Sequence, residues 1–222
     1  MFNELIFFSH IIVISVGNII ALRFGKEALV AFLCIQALIA NIFVSKQILL
    51  FGLCVTGTDA FIIGCDLSLN LLQEYFGRKV ANKTIWISFS VLLFYLVMTQ
   101  IQLFYIPNCY DTMHPHFQMI LGMAPRIILA SLVAYLTAIK VEYILYQWLK
   151  SKLNGRFLIL RNYGAIIVSQ LLDTIIFSIL GLWGSVHSII HIMILSYIIK
   201  LIALFIATPL VFTGSKYFIN HR

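Results

Sequence analysis

The chain has 222 residues, of which 62% are hydrophobic and 10% charged, and its mean hydropathy is +1.02. Soluble domains carry roughly 25% charged residues, so this composition excludes a soluble domain and defines an integral membrane protein. The net charge of +7 does not mark a nucleic-acid binder, because the Lys and Arg residues punctuate the ends of apolar runs instead of clustering on one exposed face; they serve topology and contacts to anionic lipid.

A spanning helix needs roughly 20 apolar residues, which leaves room for six or seven helices and no separate soluble domain. The fold class expected is all-α: a polytopic bundle of six to seven transmembrane helices forming one membrane domain over residues 1–222. The opening Met1-Phe2-Asn3-Glu4 lacks the positive stretch of a signal peptide, so the run 5–22 is expected to stay as a helix. The next run is 28–44. A compound segment, 48–73, follows, and its first half is crowded with Gly52, Thr56, Gly57, Thr58 and Asp59. Non-helical backbone at membrane depth is tolerated only where protein or water shields it, so residues 47–58 read as an outer loop or re-entrant turn and 59–76 as the spanning helix. The runs 85–106, 119–149, 163–182 and 187–212 complete seven candidates.

Positive residues fall in alternate connections. Arg23 and Lys26 lie in the first, Arg78, Lys79 and Lys83 in the third, Lys150, Lys152, Arg156 and Arg161 in the fifth, and Lys216 and Arg222 in the tail, whereas the other connections carry only Lys46. This bias places the N-terminus outside and the C-terminus in the cytoplasm.

Cys34, Cys54, Cys65 and Cys109 form no CxxC and read as small core residues. His114-x-His116 and His187-x3-His191 lack a carboxylate or thiolate partner pattern, so no metal and no cofactor is expected. There is no GxxxxGK[ST], HExxH or GxSxG, so neither an ATP site nor a catalytic centre is expected, and the chain reads as a non-enzyme.

The chemistry concentrates at Asp173 and Lys200, each near the middle of a membrane-length run. An ionised side chain there costs roughly 2.5–3.5 kcal/mol on insertion scales, so opposite charges at that depth are paired or used. Arg126 would lie about seven residues, or roughly 10 Å, into the fifth helix. Gln170 shares a helical face with Asp173, and Asn41 and Asn70 add amides from the second and third helices. Two readings stand at this point: a salt bridge that fixes helix register, or a polar solute site. Glu74 and Arg78, spaced i,i+4 at the cytoplasmic end of the third helix, read as a surface ion pair or as a gate. Ala31, Ala37 and Ala40 form a small-residue stripe that either packs internally or docks a partner.

Five stretches, taken in order, resemble the motifs of the queuosine precursor transporters of the vitamin-uptake-transporter family: ANIFVSK ending at Lys46, EYFGRKVA from Glu74, PRIILASLVAY from Pro125, SQLLDTIIF from Ser169 and YIIKLIALFIATPL from Tyr197. The resemblance covers about residues 28–210, leaving residues 1–27 as an extra helix before the core 28–212 and a tail 213–222. It implies import of a 7-deazaguanine base, a queuosine precursor or queuine, for tRNA modification, across the inner membrane of a bacterium. It also implies likeness to the substrate-binding subunits of energy-coupling-factor transporters, so the alternative function is a binding subunit that needs energising partner subunits, or a homo-oligomer. One position departs from the family. An acidic residue is usual four places before the Glu of the EYFG-like stretch, and here that place holds Asn70; either Asp66, one turn earlier, stands in, or the site takes a different deazaguanine. The chemistry of such a base would put Asp173 on its donor edge or on the ligand's side-chain ammonium, Gln170 and Asn41 on further hydrogen bonds, and Arg126 and Lys200 on charge balance and the carbonyl.

Overall fold

The computed structural model describes residues 2–153 and 158–202. Helix α1 (Phe2–Phe24) turns at Gly25 into α2 (Lys26–Phe43); a hairpin of β1 (Gln47–Leu50) and β2 (Leu53–Thr56) leads into α3 (Asp59–Phe76) and α4 (Arg78–Leu103). A short α5 (His114–Leu121) precedes α6 (Ala124–Lys152), α7 (Leu158–Phe177), a π-helical turn at Ser178–Leu182 and α8 (Ile189–Ile202). The tail 213–222, the end of the run 187–212 and residues 154–157 lie outside the described residues.

Helices dominate because hydrocarbon offers no partner for a backbone N–H or C=O, and a helix satisfies them all within one segment. Among the described residues, five helical stretches are long and apolar enough to cross a membrane: Phe2–Phe24, Lys26–Phe43, Arg78–Leu103, His114–Leu149 and Tyr163–Leu182. Helix α3 has 18 residues, roughly 27 Å at 1.5 Å per residue, but carries Asp59, Asp66 and Glu74. It packs against α1, α2 and α4, while α6 runs along α7. Aliphatic and aromatic side chains such as Leu5, Ile12, Val16, Phe94 and Ile144 remain on the outside of the bundle, where lipid would cover them.

A polar network ties the first three helices together. Asn18 on α1 and Ser68 on α3 are fully buried, and Gln36 on α2 nearly so. Ser68 Oγ donates to Asn18 Oδ1 at 2.5 Å, Gln36 Nε2 to Ser68 Oγ at 3.2 Å, and Asn18 Nδ2 to the Gly64 carbonyl at 3.3 Å. Gly64 permits this approach, since a Cβ there would run into the Gln36 carboxamide and the Ile14 side chain. Interhelical hydrogen bonds in membranes contribute about 0.6 kcal/mol each, so the network sets register more than it supplies stability. It also makes α1 an integral part of the bundle.

The segment 47–58 is where the structure departs from a strictly all-α bundle. It forms an antiparallel hairpin with Leu50 paired to Leu53, closed by Phe51 and Gly52, whose φ values are +50° and +79°. Positive φ at both positions makes a type I′ turn, which matches the twist of paired strands. Leu50 and Val55 are buried against Ile192, Leu195 and Ile199 of α8, Ile127 of α6 and Phe7 of α1. Side chains pin the hairpin to the same end of the bundle as the chain start and the α7–α8 connection: Asn3 Nδ2 donates to the Leu49 carbonyl at 2.8 Å, and the His187 N–H to Gln47 Oε1 at 2.9 Å. The opposite end is turned by Gly25 and Gly77, the latter at φ +89° in a one-residue break between α3 and α4.

Candidate functional site

Lys200 on α8 is the hub of the interior. Its Nζ donates to Asp173 Oδ2 on α7 at 2.5 Å and to Thr174 Oγ1 at 3.2 Å, with the two charged side chains only 9% and 22% exposed. The pair faces a cavity of about 190 Å³ whose walls include Asn41 and Ala40 from α2, Thr58, Ile62 from α3, Ile127 and Ser131 from α6 and Phe177 from α7. Asn41 donates through Nδ2 to the Ala37 carbonyl of its own helix at 3.0 Å, while its buried Oδ1 has no partner among the described residues. A buried acceptor left unsatisfied costs on the order of 1–3 kcal/mol, which a bound donor would recover.

Lys200 also borders a second cavity, of about 230 Å³, lined by Asp66, Asn70, Gln73, Asn82, Glu142 and Gln170. There Glu142 Oε2 accepts a hydrogen bond from Ser169 Oγ at 3.1 Å. A third cavity, of about 260 Å³, adjoins both: it shares Asn41, Ile62 and Ser131 with the first and Asp66, Leu69 and Ile85 with the second, and adds Tyr135 and Phe89. The rings of Tyr135 and Phe89 sit 5.4 Å apart, tilted at 51°. Together the three cavities lie between α2, α3, α4, α6, α7 and α8; the second is walled mainly by polar groups, and the other two are largely apolar with a few polar groups turned inward.

The residues expected from sequence thus divide. Asn41, Asp173 and Lys200 come together on the first cavity, and Asn70, Gln170 and Lys200 on the second. Gln170 and Asp173 share a helix face yet open onto different cavities. Arg126 borders none of the three. It sits in the first turn of α6 and is exposed, and its Nε donates to the Leu180 carbonyl at 2.7 Å. Between α5 and α6 the chain makes a two-residue turn at Gly122 and Met123, and Pro125 stands in the first turn of α6, where its missing N–H costs nothing. The carbonyl Arg126 meets belongs to the π-helical turn, where the wider spacing disrupts the regular ladder.

Glu74 and Arg78 are exposed and, among the described residues, form no ion pair. Gly77 breaks the helix between them, so the i,i+4 rule does not apply. Ala37 and Ala40 line the interior cavities, which takes two of the three small residues off the lipid face. Sequence reading passed over Glu142, Ser131, Tyr135 and Phe177, and Asp66 entered only as a stand-in for Asn70. Glu142 was open to the argument that found Asp173, a carboxylate inside a membrane-length run; Ser131 and Phe177 carry no such signal.

A bundle of apolar helices holding cavities on either side of a buried ion pair has the build of a small-solute membrane transporter. The chain belongs to the family described as "Putative vitamin uptake transporter", whose model matches residues 60–214. It is also 31% identical over 196 residues to a "Probable queuosine precursor transporter" of Bacillus subtilis (strain 168), a match covering 87% of this chain and 86% of that protein. No solved structure matches the chain. It is a multi-pass membrane transporter, not an enzyme.

Proposed function

We propose that the chain imports a 7-deazaguanine base, a queuosine precursor or queuine, by alternating access around the Asp173–Lys200 pair. The relative's name supplies the substrate class, and the observation that carries the reading is the ion pair facing a cavity with the unsatisfied Asn41 Oδ1 on its wall. A deazaguanine presents a ring N–H beside an exocyclic amine, a carbonyl next to them and a flat face. Asp173 can accept from both donors, Lys200 meets the carbonyl, Asn41 Oδ1 takes a remaining donor and Phe177 lies against the ring. A solute lacking these groups leaves buried polar atoms unpaired, the basis of strong discrimination. At about 190 Å³ the cavity is smaller than the roughly 300–1,000 Å³ of sites for drug-sized ligands, which favours a single bicyclic base over a nucleoside. Asn70, Gln170, Asp66 and Glu142 would receive the base on its way to the cytoplasm.

In this reading α3 and α8 join the five long helices to give seven crossings, with the N-terminus, the hairpin and residues 183–188 outside and the C-terminus in the cytoplasm of a bacterial inner membrane. The positive residues at the opposite end support that orientation. The test is uptake by the purified chain in liposomes holding no other protein. Wild type accumulates or exchanges radiolabelled 7-aminomethyl-7-deazaguanine and Asp173→Asn, inserted at equal density, does not; transport by Asp173→Asn at the wild-type rate would remove Asp173 from the site. Solute bound but not moved would favour the binding-subunit alternative with separate energising partners.

A further inference from the structure

Asp59 is a buried carboxylate that the solute site does not use. It opens α3, is 2% exposed and has no ion pair among the described residues. Its Oδ1 accepts a hydrogen bond from Ser196 Oγ at 2.7 Å, and its buried Oδ2 has no partner among the described residues. An ionised carboxylate held away from water with one oxygen bare is costly, and binding a proton removes that cost.

Its position gives the proton somewhere to come from and something to move. Asp59 and Thr56 line a cavity of about 360 Å³ at the hairpin end, between α1, the hairpin and α3. Thr58, whose Oγ1 lies 2.9 Å from that of Thr56, lines the solute cavity instead, so the start of α3 is the partition between the two spaces. Helix α8 spans the same partition: Ser196 touches Asp59, and Lys200, one turn further on the same face, touches Asp173. The charged and titratable groups facing Asp59 are His10 from α1 and Lys46 from the connection between α2 and β1, which share its cavity, and Lys200 from α8, near enough for the charges to interact.

We infer that Asp59 is the proton-carrying residue of this transporter: it takes one proton from water in the hairpin-side cavity and gives it up to water on the other side, drawing the solute inward with the proton. While Asp59 holds its proton, Lys200 remains with Asp173. Once the proton leaves, the Asp59 carboxylate competes for Lys200 and shifts α8 between its two partners. The proton balance is one taken up outside and one released inside per cycle, with no bond made or broken besides O–H.

This inference rests on the transport reading, and two measurements separate them. The first needs no solute: infrared difference spectra of the chain in lipid, titrated with acid, contain a protonated-carboxyl C=O band that Asp59→Asn removes and Ser196→Ala, which deletes only the hydrogen bond, shifts. A full set of bands in Asp59→Asn, no shift in Ser196→Ala, or loss of the band on adding sodium chloride at constant pH overturns the proposal. The second is uptake of radiolabelled 7-aminomethyl-7-deazaguanine into liposomes one pH unit more alkaline inside. Wild type concentrates the solute by up to about tenfold, the ratio of one proton per solute, while Asp59→Asn only equalises it. Concentration by Asp59→Asn to the wild-type level overturns the proposal. A wild type that moves no solute yet keeps the infrared band sinks the transport reading and leaves the proton site standing.

Discussion

Asp173 and Lys200 hold opposite charges together in the interior of the bundle, where either one alone would be an ionised group surrounded by hydrocarbon. The buried pair also makes a stability prediction. Removing one partner of a buried ion pair typically costs about 3–5 kcal/mol because the other charge is stranded, whereas replacing both can cost nothing. Lys200→Met is therefore expected to lower the thermal midpoint in detergent sharply, and the double variant Asp173→Asn, Lys200→Met to recover most of the loss while remaining inactive in transport. Equal midpoints for single and double variants would mean that the two charges are not coupled. Arg126 stands apart from the three cavities, its guanidinium held by the Leu180 carbonyl 54 residues away, a partner that spacing along the chain does not encode. Asn41 was chosen for its amide, but only its environment reveals that Oδ1 is left bare.

At the scale of elements, the apolar runs 5–22, 28–44, 85–106 and 163–182 fall on helices, since membrane-length apolar stretches leave the backbone no other way to satisfy itself. The hairpin escaped the pattern because its residues, Gln47-Ile-Leu-Leu and Leu53-Cys-Val-Thr, are apolar toward both faces, and Phe51-Gly52 is not among the strongest turn pairs. Only the Gly and Thr crowding marked the segment as non-helical. The α1–α2–α3 contact was equally silent in sequence, because Gly64 carries no signal until Gln36 and Ile14 are known to press on it. Gly64→Leu should force these helices apart, costing about 1–3 kcal/mol as overpacking. The measurable result is a lower thermal midpoint with the Asn18–Ser68–Gln36 network disrupted; an unchanged midpoint would show that the helices can separate freely at this point.

For the whole molecule, the proposed orientation can be read from a single thiol. Cys109 is exposed in the connection between α4 and α5, at the hairpin end of the bundle, whereas Cys34 is buried and Cys54 and Cys65 are partly covered. A membrane-impermeant maleimide added to intact cells is expected to label the chain, and Cys109→Ser to abolish that labelling; label appearing only after the membrane is opened would reverse the topology. The polar interior itself was only partly legible. Sequence placed six polar residues toward one site, and the folded chain distributes five of them over two cavities with Lys200 between, a division set by helix rotation that spacing along the chain does not encode. The most direct check on that interior is equilibrium binding to the purified chain of 7-aminomethyl-7-deazaguanine and guanine, with Asn41→Leu and Asp173→Asn alongside. The account predicts that wild type binds the deazaguanine and that each substitution weakens it by roughly 10–150-fold, the loss of a hydrogen bond to a charged or buried partner at about 1.5–3 kcal/mol. Binding that neither substitution alters would contradict it.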